Sequence, residues 1–234
     1  MDFDKLEFTP ILRQDVLDQI KKLCREEYTE FIKLLEIFSD LDKFLASKYE
    51  GHEENPKEYF TRLFHIRVKD HFSSSLILIS QGYLVDAISL TRSALEDLFV
   101  MLNFYLDPGY FSKWNANCND FEIRPGKLRN NPKIDKNDRK LYNKVYKSLC
   151  DIVHPKKESF AYMSTFHPTF QSGGRDGAQR LKKDMELINL SFVVYLHQIS
   201  SLFLRVYDGP NQDVTTLESI KTRVMETQLL QSLL

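Results

Sequence analysis

The chain has 234 residues, of which 42% are hydrophobic and 28% are charged, and its net charge is −1. These values are ordinary for a soluble globular protein and give no global field that would announce a nucleic-acid or membrane partner. The three cysteines are widely spaced and form no CxxC motif, which predicts neither a zinc ribbon nor a disulfide framework. The acidic N-terminus predicts no signal peptide, and the interrupted apolar runs predict no membrane span. A cytoplasmic location is therefore expected.

Apolar residues at helical spacing organise the first half of the chain. Neither glycine nor proline interrupts the pattern between Ile11 and Tyr49, which predicts one long helix, or two in line, over residues 10–49. After a polar break, Pro56 fits the first turn of a helix that runs from about Lys57 to Gln81. The short turn that follows predicts that this helix and the next one are antiparallel neighbours.

The segment from Gly82 to Leu106 is the most apolar in the chain, and it predicts a central helix. It carries one polar stripe, because five polar side chains recur on it at helical spacing: Ser89, Arg92, Ser93, Glu96 and Asn103. An arginine and a glutamate four residues apart on such a helix must form an ion pair, be hydrated or take part in function, since an isolated buried charge is costly. The sequence leaves these alternatives open.

Two segments with prolines, glycines and asparagines predict irregular insertions near residues 107–134 and 155–177. Between them, a helix over Asp135 to His154 ends before Pro155. The first insertion and the start of this helix are basic, which is typical of either a solvated mobile loop or a surface that follows phosphates. The candidate RNA-binding residues are Arg124, Lys127, Arg129, Lys133, Arg139 and Lys140.

The last part of the chain predicts a long helix over Ala178 to Tyr207 and a short amphipathic helix within the tail 214–234, which would dock on the rest of the protein or on another subunit. No segment alternates with the period of a strand. The predicted fold is therefore all-α, a single domain over residues 1–234 in which four or five long helices form an up-and-down bundle. Paired ExxH motifs are absent, so neither a metal nor a cofactor is predicted.

Two stretches resemble the uncharacterised helical families of the HEPN superfamily: DAISLTRSALED on the central helix and LYNKVYKSLCDIVHP on the next. The resemblance covers about residues 60–205. It implies a helical bundle that is often dimeric, so RNA and a second copy of the chain are the expected partners. Many members of the superfamily are metal-independent ribonucleases in phage defence, toxin–antitoxin pairs or RNA processing. The residues that carry the resemblance are Ala87, Leu90, Arg92, Glu96, Leu149, Val153, His154 and Pro155.

The superfamily's site is an arginine, four to six intervening residues and a histidine. Counting back from His154, the arginine belongs at positions 147–149, where this chain has Lys-Ser-Leu. Lys147 would supply a cation without the planar fork of a guanidinium, and Arg92 on the neighbouring helix is another source of that cation. His154 would activate a 2′-hydroxyl while the cation stabilises charge on the phosphorus. With Glu96 beside Arg92, these four are the candidate catalytic residues.

A second reading of the same residues needs no catalysis. His154 then caps the last turn of its helix, and Arg92 and Glu96 form a satisfied internal pair. The protein would be a non-catalytic helical module that retains the fold and binds a protein, RNA or nucleotide partner.

Overall fold

A computed structural model describes residues 14–49, 55–81, 83–116, 124–154, 175–206 and 211–227. Helices dominate each of these segments, no strand occurs in them, and the predicted all-α class is confirmed. In chain order the helices are α1 Gln14–Leu23, α2 Arg25–Tyr49, α3 Pro56–Ser80, α4 Leu84–Leu106, α5 Pro108–Ala116, α6 Pro125–Arg129, α7 Lys136–Val153, α8 Arg175–Val206 and α9 Asn211–Met225.

The boundary between α1 and α2 falls at Cys24, which is fully buried. Its amide donates to the Ile20 carbonyl over 2.8 Å, and its carbonyl accepts from the Tyr28 amide over 2.8 Å. The chain therefore keeps helical hydrogen bonding through the break. Burial raises the pKa of the Cys24 thiol to about 11, so this cysteine is a core residue with little thiolate character.

Local sequence signals set where α3 and α7 begin. The Asn55 side chain accepts a hydrogen bond from the Glu58 amide over 3.0 Å, and Pro56 occupies the first position of α3. At the start of α7, the Asp135 carboxylate accepts from the Asn137 amide over 2.7 Å. Its hydrogen bonds from the backbone amides of Asn137 and Asp138 hold the pKa of the Asp135 carboxyl below its ordinary value. Both caps satisfy amides that lack a partner within the helix.

Hydrogen bonds fix the relative direction of α3 and α4. Ser75, near the end of α3, donates to the carbonyl of Ala87, near the start of α4, over 3.0 Å. At the opposite ends, the hydroxyl of Thr61 lies 3.4 Å from that of Tyr105. The two helices are therefore antiparallel along their length, which agrees with the short turn between them.

Ring contacts relate α8 to the N-terminal helices. Phe31 of α2 lies 5.6 Å from Phe192 between ring centroids, and Phe38 lies 5.6 Å from Tyr195, so α2 and α8 run in the same direction. Phe72 of α3 stacks on Phe192 at 4.0 Å. Aromatic side chains thus fill the space between α2, α3 and α8, and this region belongs to the continuous core.

The segment Leu181–Val206 of α8 is long and apolar enough, by length and composition, to cross a membrane, although the sequence predicted no such segment. Within the protein, 72% of its most apolar stretch is buried. The core helix of a folded domain has the same composition because it is covered by other helices on nearly all sides.

The prediction of an irregular insertion over 107–134 is wrong where the structure places α5 and α6. Proline stands at the first position of both helices, where its missing amide costs nothing. Trp114 of α5 packs on Phe104 at 5.1 Å, and Leu128 of α6 is buried. In the second insertion, residues 155–174 lie outside the described part, and α8 begins three residues before the predicted Ala178.

Candidate functional site

Two residues of the polar stripe, Arg92 and Glu96, lie half-buried on the side of α4 that contacts α7. Arg92 Nε lies 3.5 Å from Glu96 Oε1, one turn further along the same helix. The hydroxyl of Tyr146, from α7, donates a hydrogen bond of 2.5 Å to the same carboxylate oxygen. The side chains of Arg92 and Glu96 are 23% and 27% exposed, so water reaches the pair without surrounding it. The stripe is an interhelical polar contact centred on Glu96.

Tyr146 is held from three directions. Its hydroxyl is bound to Glu96, the ring of Phe99 lies 6.0 Å away, and the guanidinium of Arg129 lies over the ring at 4.4 Å. Burial, and then the hydrogen bond to the Glu96 carboxylate, raise the pKa of the Tyr146 phenol. The phenol is therefore a neutral donor at physiological pH, and its ring has a fixed orientation.

The segment 124–134, which contains α6, is attached to α4 and α7 by asparagine side chains. The buried Asn103 amide donates to the Leu128 carbonyl over 3.1 Å, and its side-chain oxygen accepts from Asn131 over 2.7 Å. On the α7 side, Asn143 accepts from Arg129 Nε over 2.7 Å and donates to the side chain of Asn130 over 2.7 Å. These bonds set the position of Arg129 over Tyr146.

The exposed side of α7 carries a row of cations, here called the lysine stripe: Lys140, Lys144 and Lys147. Their spacing of four and three residues places them on one face, with about 10 Å of helix axis between the first and the last. All three side chains are exposed, and none takes part in an ion pair with another described residue. His154, also exposed, continues the same face at the C-cap of α7.

The predicted catalytic residues fall into two groups. Arg92 and Glu96 are together on the half-buried stripe of α4, whereas Lys147 and His154 lie two turns apart on the exposed face of α7. Glu96, which accepts from Tyr146, also engages Arg92, so this arginine has a structural partner. The internal pair of Arg92 and Glu96, one of the alternatives that the sequence left open, is therefore present. The cations nearest to His154 along the chain are lysines.

The predicted RNA-binding residues are also divided. Arg124, Lys127 and Lys140 are exposed. Arg129 is bound to Asn143 and Tyr146, and Lys133 Nζ donates to the Leu106 carbonyl over 2.6 Å, so these two cations contribute to internal structure. Arg139 is half-buried on α7.

A second interhelical cluster, between α3 and α4, was missed by the sequence analysis. The buried Asp97 carboxylate binds Arg67 through two hydrogen bonds, one of them 2.7 Å from Nε, and His71 Nε2 lies 3.7 Å away. Burial raises the pKa of Asp97, and the Arg67 guanidinium opposes that rise. Burial also lowers the pKa of His71. The signal available in the sequence was an acidic residue within the most apolar segment, opposite an arginine and a histidine four residues apart.

His65 is the most deeply buried titratable group of α3. Its Nδ1 lies 2.7 Å from the Tyr195 hydroxyl, and its ring stacks on Phe38 at 4.5 Å. Burial lowers the pKa of His65 to about 4, so the imidazole is neutral at physiological pH. His65 packs within the hydrophobic core, where a substrate cannot reach it.

Among the described residues, no three His, Cys, Asp or Glu side chains are gathered closely enough to hold a metal ion. Comparison of the chain with protein-family models, with curated proteins and with solved structures finds no match.

Proposed function

We propose that the protein binds single-stranded RNA along the lysine stripe of α7, as an RNA-directed protein of HEPN-like type. The observation that carries this proposal is the alignment of Lys140, Lys144 and Lys147 on one exposed face that ends at His154. When surface lysines neutralise phosphates, counterions that were condensed on the nucleic acid are released, and this release is the main source of sequence-independent affinity. Arg124 and Lys127, also exposed, would extend the cationic surface.

The same surface offers the groups for metal-independent cleavage. His154 would take the proton of a 2′-hydroxyl, and the freed oxygen would attack the adjacent phosphorus to form a 2′,3′-cyclic phosphate. The bond from phosphorus to the 5′-oxygen would break, and the leaving oxygen would take a proton from water. Lys147, two turns away on the same face, would hold a phosphate as a point charge. Arg92 contributes indirectly in this proposal, because it orients Glu96, which in turn orients Tyr146 of α7.

The proposed architecture is an up-and-down bundle of five long helices: α2, α3, α4, α7 and α8. Three observations support it: the antiparallel run of α3 and α4, the common direction of α2 and α8, and the contact of Glu96 with Tyr146 across α4 and α7. The proposal also keeps the homodimer, the cytoplasmic location and the role in defence or stress that the sequence and its resemblance imply.

The test of RNA binding replaces Lys140, Lys144 and Lys147 together by glutamine. Affinity for a labelled single-stranded RNA should fall, and the slope of log affinity against log salt should become shallower by about two, because each phosphate contact contributes about 0.7 to that slope. The matched control replaces the exposed Lys22, Lys113 and Lys183, which lie off α7, and should change neither quantity. Equal effects of both triple variants would refute a site on α7.

Cleavage is tested on the same RNA in EDTA. The wild type should cut it, and His154→Ala should bind it with unchanged affinity without cutting it. A second candidate function, a non-catalytic module, is favoured by the internal engagement of Arg92 and Arg129. Binding that depends on the lysine stripe, with no cleavage by the wild type on varied RNAs, would establish that second function instead.

A further inference from the structure

The ring of Tyr146 lies beside the lysine stripe, on the side of α7 that faces α4 and α6. Tyr146 is the residue before Lys147, and Asn143, one turn before Lys147 on α7, binds Arg129. The ring is flanked by Phe99 at 6.0 Å, and Arg129 lies over it at 4.4 Å. The group that covers the ring therefore comes from α6, next to the proposed path of the RNA.

We propose that this ring is a stacking site for one nucleobase, which takes the place that the Arg129 guanidinium holds in the free protein. The inference rests on the proposed function, because it assigns a base-binding position to an RNA that follows the lysine stripe. Single-stranded RNA is commonly recognised by unstacked bases that lie on aromatic side chains.

The ring is already fixed in the orientation that stacking needs. The hydrogen bond of 2.5 Å to Glu96 holds the phenol, and Glu96 is held by Arg92. A base would therefore find a preorganised surface, with little ordering cost on the protein side.

The contact that covers the ring is exchangeable. Arg129 is held by one hydrogen bond to the Asn143 side chain and by its contact with the ring, and it belongs to a five-residue helix whose buried side chain is Leu128. A base stacked on an aromatic ring is bound more strongly than a partly exposed cation over the same ring. After the exchange, the guanidinium would remain next to the RNA and could bind a phosphate bidentately.

The experiment compares two ligands of equal charge: a single-stranded RNA and an abasic oligomer of the same length with tetrahydrofuran in place of each nucleoside. Tyr146→Leu should bind the RNA about tenfold more weakly than the wild type and should bind the abasic oligomer equally well. Tyr146→Phe keeps the ring but loses the hydrogen bond that orients it, so its affinity for the RNA should lie between those of the wild type and Tyr146→Leu, with the abasic oligomer bound as by the wild type. Tyr83→Leu, a change of the same kind at an exposed tyrosine, should have no effect.

The outcomes separate this inference from the proposed function. If the wild type binds neither ligand, the RNA-binding function itself is wrong. If the wild type binds RNA through the lysine stripe but Tyr146→Leu binds both ligands as the wild type does, the stacking site is refuted and RNA binding stands. An equal loss for both ligands in Tyr146→Leu also refutes a base-specific contact, since a loss of folded protein or of cation placement does not distinguish the ligands.

Discussion

The hydroxyl of Tyr146 on α7 donates a 2.5 Å hydrogen bond to the Glu96 carboxylate on α4, fifty residues away along the chain. This bond joins two long helices at the place where the polar stripe of the central helix is half-buried. The carboxylate accepts a hydrogen bond from the phenol and forms an ion pair with the Arg92 guanidinium at 3.5 Å, so the contact adds a polar link between α4 and α7 to the apolar packing of α7.

Removing the phenol should destabilise the protein measurably. We expect Tyr146→Phe to lower the free energy of unfolding by about 1 to 2 kcal/mol, the lower range for a hydrogen bond to a charged group, because water reaches the Glu96 carboxylate. Urea denaturation at pH 7 measures this change. Tyr83→Phe, at an exposed position, should change it by less than about 0.5 kcal/mol. Equal midpoints for the two variants would show that the interhelical bond contributes nothing.

The pair of Arg67 and Asp97 gives a pH-dependent expectation. Arg67→Ala leaves the Asp97 carboxylate, 7% exposed, without its guanidinium. Full burial of an unpaired charge costs about 3 to 5 kcal/mol, and the 54% exposure of Arg67 reduces the expected loss to about 2 kcal/mol at pH 7.

Burial already raises the pKa of Asp97, and the variant raises it further because the opposing guanidinium is gone. When folding raises the pKa of a carboxyl group, the protein loses stability as pH rises from the unfolded-state pKa to the folded-state pKa. The difference in unfolding free energy between the wild type and Arg67→Ala should therefore be largest at pH 7 and should become smaller as pH falls toward 4. A loss of stability that is constant across this range in denaturation experiments would contradict a change in the protonation of Asp97 between pH 7 and pH 4.

His65 makes the fold sensitive to acid. Its pKa in the folded protein is about 4, whereas an unfolded histidine titrates near 6.5. The unfolded state therefore binds more protons between these values, and stability should fall as pH is lowered from about 6.5 to about 4, by about 3 kcal/mol in total.

Replacement of this histidine should flatten that pH profile. His65→Leu removes the buried imidazole, so the loss of stability between pH 6.5 and 4 should be clearly smaller than in the wild type, although the pKa values of His71 and His197 are also lowered by burial. Phe72→Leu, a fully buried change on the same helix without a group that titrates in this range, is the matched control and should lower stability equally at every pH. Thermal or urea unfolding at half-unit pH steps makes the comparison, and parallel profiles for His65→Leu and wild type would contradict it.

Helix existence and the α3–α4 pairing followed from local signals. Apolar spacing identified the long helices, and the turn at residues 81–83 implied the antiparallel neighbours that Ser75 and Ala87 now join. The insertion over 107–134 was predicted as irregular because proline, glycine and asparagine are abundant there. Pro108 and Pro125 instead begin short helices, since proline is unfavourable inside a helix but not at its first position.

The partners of polar residues could not be predicted in the same way. Glu96 and Asp97 are adjacent in sequence, yet one binds Tyr146 of α7 and the other binds Arg67 of α3. Successive residues of a helix point about 100° apart, so which neighbour each carboxylate meets depends on how the helices are rotated. Tyr146 was therefore missed, because its spacing within α7 fits an apolar stripe equally well.

Asn103 shows how a residue of the polar stripe can be structural and still control the site. Its buried amide binds the Leu128 carbonyl, and its side-chain oxygen binds Asn131, so it holds the segment that carries Arg129. We expect Asn103→Ala to cost about 1 to 3 kcal/mol, the cost of leaving such buried groups unpaired, and to release α6 locally. Amide hydrogen exchange over residues 124–131 should become faster, while exchange in α3 stays slow. Asn137→Ala, at an exposed position of α7, should leave exchange in α6 unchanged; faster exchange throughout the protein in Asn103→Ala would instead place Asn103 in the global core.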